Sequence, residues 1–333
     1  MRNVKLMLVG LLLTIMSGCG APDAELVVYS ARNEPLIKPM FDRFTEETGI
    51  KVVFVTDKAE VLMQRLQAED SNTPADVLLT VDAGNLWWAT QNDLLQPLES
   101  AVLTENIPEY LRDPEDRWFG LSVRARTIVY SPERADARML SSYEGLADPM
   151  WRGRLCLRTS KKVYNQSLVA MLIAEHGEAK TEQIVKGWVA NLAADVFAND
   201  TAVIEAIAAG QCDVGIVNTY YFGRLERDNP ALPVKIFWAN QGSGGVHVNV
   251  SGGGVVRDSR HVENATRLLE WLSAGEAQSM FASSNLEFPA NPAIAADPAV
   301  AAWGQFEASR LSLARAGELQ SAAVRLMDRA GYR

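Results

Sequence analysis

Short apolar strands alternate with amphipathic helices along nearly the whole chain, and that repetition predicts parallel sheet covered by helices. Glu25–Ser30 reads as a strand. The helix after it carries Leu36, Ile37, Met40, Phe41 and Phe44 on one face, with Asn33 as N-cap, Pro35 in its first turn and Gly49 at its end. Lys51–Val55 and Asp76–Thr80 read as further strands, separated by a helix over Ala59–Ala68. The second half repeats the theme, with strands at Arg154–Leu157 and Asp213–Val217 and helices near 164–176, 181–192 and 201–209. Leu121–Ser131 and Val246–Val256 are also extended. Two such crossings suit a two-stranded hinge between two α/β lobes. The stretch from Pro298 onward reads as helical. With no internal repeat and no low-complexity linker, the lobes are expected to interweave: 24–123 with 252–300, and 124–251 with 301–333.

Size and chemistry of the ends agree with this picture. A chain of 333 residues exceeds what one hydrophobic core usually holds. Arg2 and Lys5 precede a short apolar run, Leu6–Ile15, too short to span a bilayer, so residues 1–18 read as a secretory signal. Met16-Ser17-Gly18-Cys19 resembles a lipobox, although Met16 stands where leucine is usual. Cys19 is thus a lipidation candidate, and a free periplasmic protein is the other outcome. Removing residues 1–18 takes two basic residues and no acidic ones, which moves the formal net charge from −9 to −11. Such a surface repels nucleic acid and mildly favours a cationic ligand. Cys156 and Cys212 lie beside predicted strands, and an oxidising compartment permits them to pair. Two unpaired buried thiols are the alternative.

In open α/β sheets, ligands bind beyond the carboxyl ends of strands. The segments 30–34, 80–84, 158–166 and 218–224 therefore face the expected cleft. Asn218-Thr219-Tyr220-Tyr221-Phe222-Gly223-Arg224 follows an apolar strand directly, and Tyr164 opens a helix after another. At such turns, three phenols can meet. Phenol oxygen suits a hard, highly charged cation such as Fe³⁺, which must displace a proton of pKa about 10. Calcium or magnesium would call for carboxylates, and zinc or copper for histidine and thiolate. His176, His247 and His261 do not follow strands with ligand-like spacing. The competing reading makes these tyrosines ordinary half-buried aromatics.

A set of motifs in order resembles the ferric-ion-binding components of bacterial iron ABC transporters, the bacterial transferrins. They are Val28-Tyr29-Ser30-Ala31-Arg32, Phe44 to Val52, Thr73-Pro74-Ala75-Asp76-Val77, Leu121 to Arg126, Trp151-Arg152-Gly153, Val163 to Ser167 and Asn218-Thr219-Tyr220-Tyr221. The resemblance covers nearly the whole mature chain and implies a type II-like periplasmic-binding-protein fold. It implies Tyr220 and Tyr221 as Fe³⁺ ligands, with Tyr164 as a third. In the other lobe the chain departs from the pattern. Asn33 and Glu34 stand where some members have histidine or tyrosine, and Val81 stands where others have a carboxylate. Glu34 is a candidate ligand from across the cleft, or else a first-turn residue complementing the helix dipole. Asp82 is a weaker candidate. Three phenolates leave the iron formally neutral, so carbonate or a cleft carboxylate would complete its coordination. Arg32, Arg126 and Arg224 match basic positions and could hold such an anion or favour ionised phenols; interlobe salt bridging is the alternative. Arg124 is expected to be structural, and Trp87 and Trp88 to pack in the core.

The expected activity is binding followed by delivery to a membrane permease, by a monomer. An oxyanion, a polyamine or a sugar phosphate is the alternative cargo on the same fold. For an enzyme, the chain lacks a Gly-x-Ser-x-Gly elbow, a His-Glu-x-x-His pair and a phosphate-binding glycine loop. The runs at Gly242–Gly245 and Gly252–Gly254 read as turns or hinge strand.

Overall fold

A computed structural model describes residues 25–333; the signal segment and Cys19 lie outside the described residues. Nine strands form one continuous sheet: β1 (Glu25–Ser30), β2 (Lys51–Thr56), β3 (Val77–Val81), β4 (Phe119–Tyr130), β5 (Leu155–Cys156), β6 (Val214–Asn218), β7 (Lys235–Phe237), β8 (Val248–Val255) and β9 (Phe288–Pro289). The order is β2-β1-β3-β8-β4-β6-β5, with β7 and β9 also pairing with β4.

Parallel pairing, as expected, joins β1 to β2 and β3, and β5 to β6. Every pairing of β4 and β8 is antiparallel, which the repetition alone does not predict. The reason is topological. Both strands pass between the two lobes, running in opposite directions. Along its first half β4 pairs with β8, from Phe119 to Ala125, and from Arg126 to Tyr130 it pairs with β6. The partner changes at the crossing, where Arg126 N–H donates to the His247 carbonyl at 2.9 Å.

Two main cores flank this crossing. One gathers Phe41 and Phe44 from the helix Glu34–Thr48, Phe119 from β4, and Leu268 from the helix Val262–Leu272. The other gathers Ile128, Trp151, Trp188 and Leu326. Trp88 packs at the edge of the first core, half-buried, and Trp87 lies against Gly317. A third cluster holds the expected disulfide: Cys156 and Cys212 are bonded, with Cα atoms 5.9 Å apart. The C-terminal stretch is helical in three pieces, Pro298–Ala301, Leu313–Glu318 and Gln320–Arg329, rather than one. Among the described residues, no helix is long and apolar enough to cross a membrane.

The glycine runs behave differently from one another. Gly242, Gly244 and Gly245 all have positive φ, which a side chain disfavours, and they form a turn. Gly252, Gly253 and Gly254 are extended and buried inside β8. A Cβ on any of them would clash: with the Phe119 carbonyl, the Leu79 side chain and the Arg117 carbonyl respectively.

His247, beside the crossing, is 2% exposed. Burial, with Arg126 adding repulsion, pushes its pKa down from 6.5 to about 3. The unfolded chain therefore binds this proton more readily. Stability from this group is whole above about pH 6.5 and is lost as pH falls toward 3. We expect it to cost about 2 kcal/mol between pH 6.5 and 5. Urea unfolding across that range should show a shallower pH slope for His247→Gln; an unchanged slope would refute the assignment.

Candidate functional site

Two strand-to-helix turns of the second lobe place the phenols. β6 ends at Asn218 and the helix Thr219–Asp228 begins at once, so Tyr220 and Tyr221 fall in its first turn. Consecutive helical positions keep both rings on neighbouring faces, and their centroids lie 4.4 Å apart. Tyr164 enters from the first turn of the helix Val163–His176. All three tyrosines line one cavity of about 260 Å³, together with Arg32, Asn33, Val81, Arg124, Lys162, Arg224 and Glu287. None of the three histidines lines it.

Tyr220 is 6% exposed. Burial is the main cause that lifts its phenol well above 10; the nearby Tyr164 and Tyr221 phenols add to the rise, and Arg124 opposes it. The phenol thus stays protonated at neutral pH. Cations surround the rings. Arg224 lies 5.1 Å from the Tyr220 ring centroid, and Lys162 Nζ lies 5.1 Å from that of Tyr164. Arg124 and Arg158 stand 5.8 Å and 5.4 Å from the Tyr164 ring, and Arg158 also reaches Tyr221 at 5.9 Å.

Glu34 occupies a different setting. It is exposed and opens on an adjoining hollow of about 620 Å³, which shares Arg32, Asn33, Val81 and Lys162 with the phenol cavity. Asn33 lines both spaces and makes no side-chain cap to its helix.

Two expected residues lie elsewhere. Arg126, at 1% exposure, is absent from the cavity wall and serves as a bracket beneath it. Its Nη1 is 3.0 Å from Asp200 Oδ2 and donates to Asn218 Oδ1 at 3.1 Å, while Nε and Nη2 donate to Asn165 Oδ1 at 3.0 and 2.6 Å. Asn165 follows Tyr164 and Asn218 precedes the tyrosine pair, so one guanidinium fixes both phenol-bearing turns. Tyr332 braces the same spot, accepting from Asn165 Nδ2 at 2.8 Å.

Asp82 is fully buried, and burial, opposed by its hydrogen bonds, raises its carboxyl to about 6. It caps the helix Ala83–Gln91 through Gly84 N–H. It also accepts from Ser167 Oγ at 2.8 Å and Asn249 Nδ2 at 2.8 Å, so it ties the first lobe to the second instead of facing the cavity.

Arg124, expected to be structural, does line the cavity, and so does Glu287, which motif reading passed over. Glu287 is 5% exposed, with Oε2 3.0 Å from Arg32 Nη2. Burial alone would raise its carboxyl, yet Arg32 and Arg124 outweigh burial and hold it below the usual range. Arg158 was missed as well; its only sequence signal is its place after β5. The Nε–H groups of Arg32, Arg124 and Arg158 are buried, without a hydrogen-bond partner among the described residues.

The chain is similar in sequence and fold to known proteins. Residues 39–308 match the family of bacterial extracellular solute-binding proteins. Iron uptake protein A1 of Synechocystis sp. is 41% identical, over 96% of this chain and 93% of its own. The Fe(3+)-binding periplasmic protein of Serratia marcescens is 29% identical, over 98% of this chain and 96% of its own. Among solved structures, a Trichodesmium protein (IdiA, FutA) in complex with iron and citrate superposes with a TM-score of 0.90 at 40% identity, covering 93% of this chain and 100% of that one. The ferric iron-binding protein A of Mannheimia haemolytica, in an open conformation, gives 0.86 at 36% identity, covering 93% and 99%.

Proposed function

The chain belongs to the bacterial extracellular solute-binding protein family, and on that premise we propose that it captures Fe³⁺ through the phenolates of Tyr164, Tyr220 and Tyr221. The observation that carries this reading is the convergence of three phenols on one 260 Å³ cavity ringed by buried and half-buried cations. Names of the relatives point to the same cargo. A trivalent ion replaces the phenolic protons, and the arginines around the rings favour the ionised oxygens that result.

Closure brings 24–123 with 252–300 toward 124–251 with 301–333, about the crossing of β4 and β8. That motion is what would carry Glu34 from the adjoining hollow to the metal. The remaining coordination falls to carbonate or to a carboxylate of the cleft, for which the unpaired arginine N–H groups are suitable donors. A monomer exported by residues 1–18, anchored through Cys19 or free, then presents the closed form to the permease of an ABC transporter.

Ferric loading of the purified protein tests the reading directly. A tyrosinate-to-iron charge-transfer band should colour it orange to red, with one iron per chain. A colourless protein after loading favours a different solute.

A further inference from the structure

Glu287 has a setting that the ligand assignment does not use. Among the described residues on the phenol-cavity wall it is the only carboxylate, against Arg32, Arg124, Lys162 and Arg224. It reaches the cavity because Leu286 adopts a left-handed φ of 56° and ends the helix Gly275–Asn285, after which Phe288 pairs with Val123 of β4. That pairing sets Glu287 beside Ser122 and Arg124 of the same strand. Its Oε2 sits 3.0 Å from Arg32 Nη2, and Arg32 Nη1 donates to Ser122 Oγ at 3.3 Å. Arg32 is itself buried, at 6% exposure, and so is Arg124 of the cavity wall, at 3%. A carboxylate paired with one desolvated guanidinium, in a cavity lined by a second, already stands where an oxyanion would bind.

We propose that Glu287 is the built-in anion of the site: it occupies the seat beside Arg32, in the cavity that Arg124 also lines, so that Fe³⁺ loads without an external synergistic anion. This rests on the phenolate reading above and deepens it. The protein's own carboxylate balances the arginines before the metal arrives, and no free carbonate has to be captured with it. Removing its charge leaves two buried guanidiniums undercompensated and opens their donors to solution anions.

The test loads wild type and Glu287→Gln with ferrous chloride oxidised by carbon-dioxide-free oxygen, in phosphate-free buffer stripped of carbon dioxide, and then titrates bicarbonate. Wild type should reach its full charge-transfer band before any bicarbonate is added. Glu287→Gln should reach less than about one tenth of that band, rising toward the wild-type level at millimolar bicarbonate. A wild type that needs bicarbonate overturns the proposal, and so does a folded Glu287→Gln that loads without it. The wild-type arm decides even if the variant proves unstable. A wild type colourless in both buffers overturns the phenolate reading itself, an outcome distinct from bicarbonate dependence.

Discussion

Tyr220→Phe should lower ferric affinity by more than about 100-fold and strip most of the charge-transfer intensity, while leaving the metal-free protein as stable as wild type. The two halves of this result have separate causes. Phenylalanine keeps the ring that packs against Tyr221 at 4.4 Å and clusters with Leu286 and Val300. Only the hydroxyl goes, and its one close protein donor is Asn218 Nδ2 at a long 3.5 Å. Little folding energy is at stake there. Affinity behaves otherwise, because loss of a supporting outer-sphere partner already costs roughly 10- to 100-fold, and a direct anionic ligand should exceed that. Competition against a chelator of known strength measures the first half, and thermal unfolding the second. An affinity within about threefold of wild type would remove Tyr220 from the coordination sphere.

Arg126→Met should destabilise the fold by about 3–5 kcal/mol, the range expected when one partner of a buried ion pair is deleted. Asp200 is fully buried and would keep Asn218 N–H at 3.0 Å but lose its closest cation. Arg158 Nη1, 3.6 Å from its other oxygen, is a weaker substitute. The same substitution frees Asn165 and Asn218, so iron affinity should fall as well, although Arg126 does not line the phenol cavity. Adding Asp200→Asn to Arg126→Met should restore part of the stability, since the stranded charge is then gone; the two costs will not add. Urea unfolding of the single and double variants checks this. Equal losses in Arg126→Met and the double variant would mean that packing, rather than charge, dominates the bracket.

The contrast between Arg126 and Arg124 shows where sequence reading ends. Two residues apart on a strand, they should share a face. Yet Arg124 lines the cavity and Arg126 lies beneath it, because β4 exchanges β8 for β6 between them and passes from one lobe to the other. Nothing local marks the residue at which a strand changes partners. The alternation of strands and helices was legible, since each element carries its own period. Helix limits shifted by a few residues: 181–192 became Glu178–Ala190. The place of the tyrosine pair on the cavity wall was legible because a turn directly after an apolar strand faces the cleft. Glu287 was not, because its meaning comes from Arg32, 255 positions away. Asp82 misled for a related reason. Its carboxylate serves Ser167 in the opposite lobe, and only the assembled fold brings that hydroxyl to it.

The three adjoining glycines of β8 bear on how genetics would portray this molecule. Each presses bare main chain against a neighbour with no room for even a methyl group. In a random library selected for growth on scarce iron, inactive clones would pile up at 252–254 as densely as at 220 and 221. Such a cluster mimics the footprint of a ligand pocket, though its origin is steric. A scan of that kind distinguishes the two only when abundance is scored beside uptake.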